Sequence, residues 1–162
     1  MIPHVDLKKL TPAEQIAGEN AEETGLLKEM LQNATAYLRN FQWCPPIESI
    51  YMGCGIGGVV AVFLFHFREP VQGTDEWLWV IEGDLPEAYL VLDQADNPAS
   101  ALELYCNLME AWAKAVLESR PVKDIFPVNA KPSLNNANNL LKRLNFIRTQ
   151  LLPRWRSAWP VK

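Results

Sequence analysis

Residues 59–68, VVAVFLFHFR, decide how the rest of the chain is read. Side chains on a strand alternate between two faces, and here both alternating sets are apolar: Val59, Ala61, Phe63, Phe65 and Phe67 on one, Val60, Val62 and Leu64 on the other. That pattern predicts a central strand covered on both sides. Outward from it, Ile47 to Met52, Glu76 to Glu82 and Ala88 to Leu92 are rich in β-branched and aromatic residues and are separated by Gly, Pro and Asp turns. The connections are too short for helical crossovers, so neighbouring strands should pair antiparallel, as a four-stranded meander.

Helical spacing flanks the strands. Leu26, Leu27, Met30, Leu31, Ala34, Tyr37, Leu38 and Phe41 recur at three- and four-residue steps between Glu22 and Phe41, one apolar stripe that Cys44, Pro45 and Pro46 cut off. Asn97 and Pro98 open a helix with Leu102, Tyr105, Leu108, Met109, Trp112 and Val116 on its apolar face, ended by Pro121. Ser133 caps a last helix carrying Leu134, Ala137, Leu141, Leu144, Ile147 and Leu151, weakened at its start by four asparagines and closed by Pro153. Thr11, Pro12 and Glu14 fit a cap, a first-turn proline and a capping-box carboxylate, which predicts a further short helix ending near Gly18. The expected fold is α+β: a four-stranded antiparallel meander packed with three or four helices in one domain over 1–162. Residues 1–20 should be peripheral and 153–162 loosely held.

Composition narrows the class without naming a function. With 49% hydrophobic and 21% charged residues the chain has the make-up of a folded globular protein. Its longest apolar run, Ile56 to Phe67, is 12 residues long, well short of the ~20 that cross a bilayer, so no membrane role is expected. The start, MIPHVDLKKLTPAEQ, lacks a signal-peptide core, and Cys44, Cys54 and Cys106 form no CxxC pair, which together predict a reducing, cytoplasmic setting. The cysteines read as small hydrophobes; grouped with His66 they lack the paired spacing of a metal site, and neither metal nor cofactor is expected.

The motifs that carry chemistry elsewhere fail here for specific reasons. GCGIGG, residues 53–58, has no lysine and is followed by a strand rather than a helix, so it reads as a hairpin and not a phosphate loop. His4 and His66 belong to no triad, and His66 reads as a satisfied core or sheet-edge residue. Glu82 and Asp84 could in principle share acid and base work, although carboxylates at strand ends are mostly solvated.

Charge is the strongest signal. Residues 1–118 hold 6 Lys and Arg against 18 Asp and Glu, a balance of −12, and residues 119–162 hold 9 against 1, a balance of +8, which together give the net −4. From Glu69 to Asp96 there are eight acids and no Lys or Arg. One reading is internal: the basic last helix lies over the acidic elements. The sharper one is that the acidic strands meet a basic protein partner. Asp75, Glu76, Trp77, Trp79, Glu82, Asp84, Glu87 and Asp93 would form that surface, with an exposed tryptophan as anchor. An alternative is a small-molecule-binding domain, or an enzyme of unrecognised type, with a pocket between the sheet and the helix over 98–119 lined by Tyr105 and Trp112. Arg154, Trp155, Arg156 and Trp159 mix cations with rings as single-strand binders do, but overall acidity disfavours nucleic acid, and docking of the segment through its tryptophans is the simpler expectation.

The run WLWV at 77–80, GDLPEAYL at 83–90, NPASAL at 97–102, Met109, Trp112 and FPVN at 126–129 resembles a family of small uncharacterised bacterial proteins with GDLPxAYL and NPxxAL elements, over roughly residues 38–152. The resemblance implies an immunity-type or accessory protein of bacterial conflict systems and brings no catalytic residue; with the acidic surface read above, the protein partner would be a basic toxin. The sequence leaves the oligomeric state open.

Overall fold

The computed structural model of the chain describes residues 5–71 and 75–159. Five strands pair antiparallel in sequence order: β1 (Thr11–Pro12), β2 (Ile47–Ile56), β3 (Val60–Val71), β4 (Asp75–Gly83) and β5 (Ala88–Val91). The meander is as the strand spacing predicts, with one strand more. Thr11 and Pro12 do not start a helix; they lie opposite Met52 and Tyr51 at the sheet edge, and only a single 3-10 turn, Ala13–Gln15, follows. Proline has no N–H to give a ladder, so an edge strand is where it can stand.

β3 is central, and its double alternation sorts into two cores. Val60, Val62 and Leu64 join Trp77, Trp79 and Ile81 of β4 on one face; Ala61, Phe63, Phe65 and Phe67 join Leu78 and Val80 on the other. Helix α1 (Ala21–Arg39) covers the second face with Leu27, Met30, Ala34 and Leu38. Helices α2 (Pro98–Leu117), α3 (Leu134–Phe146) and α4 (Leu152–Ala158) cover the first. Fully burying one Phe or Leu stabilises by roughly 1.5–3 kcal/mol, so a strand with no solvent face holds two helical layers together.

The caps follow the sequence closely. The Asn97 side chain accepts from the Ser100 N–H at 2.8 Å with Pro98 in the first turn of α2, and Ser133 Oγ accepts from the Asn136 N–H at 3.1 Å. The GCGIGG run ends in the expected hairpin, where the Val59 N–H bonds Ile56 O at 3.0 Å and Gly58 adopts φ +78°, a left-handed conformation that favours glycine. α2 stops at Leu117, four residues before Pro121.

Two further expectations change. Pro153 does not close the last helix. A π segment, Ile147–Leu151, leads on from α3, and Pro153 stands in the first turn of α4, where a missing N–H costs nothing. The segment expected to be loosely held makes specific contacts as far as Trp159: Trp155 and Trp159 pack on the core, Arg156 pairs with Glu103, and Lys9 lies 4.8 Å over the Trp159 ring. At the other end, the residues expected to be peripheral send Val5 and Leu10 into one core and Ile16 into the other. His4 lies outside the described residues, and among those described no helix is long and apolar enough to cross a membrane.

Candidate functional site

The acidic strand residues do not form one surface. On β4 the period of two sends Trp77 and Trp79 toward α2 and Glu82 toward α1, so the sheet itself stands between them. Trp79 is 0% exposed and its Nε1–H donates to Ala95 O at 2.9 Å, which makes it a satisfied core residue and no anchor. Trp77 is buried too, with its ring stacked on His66 at 4.0 Å and 14°. Asp75 and Glu76 open β4, and Asp75 lies seven residues from Glu82, roughly 23 Å along an extended chain. Asp93 is exposed on the 3-10 turn after β5.

The carboxylates also pair differently from the sequence reading. Asp84, on the turn after β4, accepts from Arg143 Nη2 at 3.0 Å and Nε at 3.2 Å, so its partner is Arg143 and not Glu82. Glu110 holds Arg148 at 2.5 Å, and that guanidinium keeps the Glu110 carboxyl below its ordinary range. Glu103 holds Arg156. The basic C-terminal helices thus neutralise α2 and the β4–β5 turn.

The structure does not bring Tyr105 and Trp112 together in one pocket between the sheet and α2. Tyr105 is fully buried and its hydroxyl donates to Pro86 O at 2.6 Å; Trp112 is buried at the edge of a hollow of about 230 Å³ bordered by Pro86 and Arg143. Core side chains, Trp79 and Met109 among them, occupy the space between.

The concave site lies on the opposite face. A cleft of about 830 Å³ opens between α1, the junction of β4 with β5, and the loop Phe126–Asn129. Asn33, Ala36, Tyr37 and Asn40 stand on it because three- and four-residue steps share one helix face. Phe41, stacked on Trp43 at 4.9 Å, and Tyr89, 5.4 Å from Phe41 and 5.1 Å from Trp43, form an aromatic wall. Tyr37 meets Phe41 edge-on at 5.3 Å.

At the bottom are two carboxyls. Val80 pairs with Tyr89 and Ile81 with Ala88, and continuing that register by one residue sets Glu82 opposite Glu87. Like charges directly opposite repel, and Glu82 is 6% exposed, on a face whose preceding members are Leu78 and Val80. Among the described residues its Oε2 has no hydrogen-bond partner. Burial, then the hydrogen bond to Glu87 and the Glu87 charge, push the Glu82 carboxyl up to about 9, against the pull of the Gly83 backbone N–H. Glu82 therefore keeps its proton at neutral pH and holds it against Glu87. Burial, with Tyr89 and Glu87 beside it, also pushes the Tyr37 phenol up, so it stays a neutral hydroxyl.

Of the residues expected to bind a partner, only Glu82 and Glu87 meet in this cleft. Sequence reasoning missed Tyr37 and Phe41, which read as helix-stripe core, and Tyr89. One signal was present: Glu82 interrupts the apolar alternation Leu78, Val80, so a carboxyl had to be buried or the face had to open there. Compared with known proteins, the chain matches no family model, no curated protein and no solved structure.

Proposed function

We propose that this chain is a protein-binding domain that performs no chemistry, and that the cleft beside α1 is where it receives a basic partner. The single observation that carries the reading is the buried Glu82 carboxyl set against Glu87 at the bottom of a cleft walled by Phe41 and Tyr89. A carboxyl pair with no cation paired to it among the described residues attracts positive charge, and aromatic rings at the rim supply the contact area that dominates interface energetics. In its narrower form the reading is an immunity protein, which the GDLPEAYL and NPASAL elements imply by resemblance, that neutralises a toxin made basic to match these acids.

Native co-purification of the tagged chain tests this, with a Glu87→Lys variant in parallel. The expected partner is stoichiometric and basic, is released by salt, and is absent from the variant. A partner retained equally by Glu87→Lys, or no stoichiometric partner at all, removes the reading. A second reading, a small cationic metabolite in place of a protein, is favoured by the cleft's size, since about 830 Å³ falls within the range of pockets that enclose small ligands.

A further inference from the structure

We propose that the cleft is a guanidinium site: the planar cation of an arginine side chain enters along the aromatic wall and forks its N–H groups onto Glu82 and Glu87. The inference rests on the reading of the cleft as a docking site and goes further by naming the group that docks.

Three independent features select this chemistry. The first is the acceptor set. Among the described residues the buried Glu82 Oε2 has no donor, and Glu87 brings a second carboxyl beside it where the strand register continues past Ile81 and Ala88. A guanidinium offers five N–H donors in a rigid fork that matches carboxylate geometry, whereas an ammonium offers three donors from a point. Asn33, Asn40 and Asn129 border the same cleft and bring further amide oxygens for the N–H groups that the carboxyls leave over.

The second is the wall. Phe41 and Tyr89, 5.4 Å apart, line the cleft together with the acids, and Trp43 packs against both rings. Guanidinium stacks on such rings and is more weakly hydrated than ammonium, so it loses less on entering a half-buried site. The third is the charge on offer. The chain's own cations near its other acids are already engaged, Arg143 with Asp84, Arg148 with Glu110 and Arg156 with Glu103. With one proton between them the Glu82–Glu87 pair carries a single negative charge, and one guanidinium balances it. A divalent ion would ask for six or more oxygens, and among the described residues no three His, Cys, Asp or Glu side chains converge here.

The test titrates the full-length protein with ethylguanidinium and, separately, with ethylammonium, followed by amide chemical shifts and calorimetry. Ethylguanidinium should bind at least about tenfold more tightly and should move the resonances of Glu82, Glu87, Tyr37 and Tyr89. Glu82→Gln keeps the size, a donor toward Glu87 and one acceptor oxygen, and removes the carboxyl's ability to pass its proton to Glu87 and take the charge itself. It should weaken ethylguanidinium by about tenfold or more while the amide spectrum elsewhere stays native. Glu87→Gln should do the same. Equal binding of the two cations, shifts that map outside the cleft, or affinity unchanged in both variants would overturn the inference. The outcomes also separate it from the docking reading. A basic partner lost on Glu87→Lys with no ethylguanidinium binding sinks the guanidinium site and leaves the docking reading standing. Ethylguanidinium bound in the cleft with no stoichiometric partner does the reverse.

Discussion

The two faces of the sheet treat acidic residues in opposite ways. On the α2 face, Glu103, Glu110 and Asp84 each meet an arginine from the C-terminal helices, and aromatic side chains such as Trp79 and Tyr105 bury with their polar atoms satisfied. On the α1 face, Glu82 and Glu87 meet each other and no arginine among the described residues, beside rings that remain partly open. Net charge along the chain does not distinguish these cases. What separates them is which segments pack over which face: the paired Arg143, Arg148 and Arg156 come from α3, the π segment and α4, all on the α2 side. The closed face reads as structure and the open one as function.

If that division is right, the largest effect should come from damaging the closed face. Trp79→Ala removes a fully buried indole and its hydrogen bond to Ala95, and leaves a cavity among Tyr105, Leu64 and Ile81. A loss of about 4 kcal/mol is expected in urea unfolding, with affinity of the surviving folded protein for a cation in the cleft unchanged. A Trp79→Ala protein of native stability that has lost cation binding would reverse the assignment of the two faces.

The middle effect belongs to Glu82 and has a definite sign. Its carboxyl rises from an ordinary 4.5 to about 9 in the folded protein, so the folded state holds a proton that the unfolded chain releases above pH 4.5. The stabilisation is therefore fully present below pH 4.5 and is lost as pH climbs through 9. Glu82→Gln cannot ionise and should escape that loss. The variant should equal the parent near pH 4 and exceed it by on the order of 2 kcal/mol at pH 9, read as the gap between urea midpoints at fixed m-value. A gap that stays flat with pH would mean that Glu82 and Glu87 share no proton, and the open face would lose its distinguishing feature.

What the sequence made legible was whatever depends on neighbours along the chain. The double alternation in residues 59–68 is a local pattern, and it placed β3 at the centre of the sheet. Asn97 with Pro98 and Ser133 cap helices through atoms three residues away. The failures share the opposite cause. Thr11-Pro12 matches a helix start locally but is claimed by an edge of β2 some forty residues later. Pro153 breaks a regular helix, yet the preceding π turn lets the chain continue. The charge imbalance was visible, but not that Arg143 would reach Asp84 across 59 positions while Glu82, two residues earlier, would face the other way. The cleft needs α1, the β4–β5 junction and the loop Phe126–Asn129 brought together, and no local period encodes that meeting.

The smallest effect sharpens the comparison most finely, because it sets a paired acid beside an unpaired one only two residues away. Asp84 is 70% exposed and Arg143 is 41% exposed, so their bidentate contact works in a nearly aqueous medium. A double-mutant cycle of Asp84→Asn with Arg143→Met should give a coupling of about 0.5 kcal/mol, falling further in salt, as exposed pairs do. Cutting the pair should also leave ethylguanidinium affinity in the cleft within about twofold of the parent, because Asp84 hangs outside on the turn while Glu82 lies beneath α1. Were the freed Asp84 to raise cation affinity by about tenfold, the acids would act as one field after all. The boundary between the closed and open faces would then have to be redrawn through the β4–β5 turn.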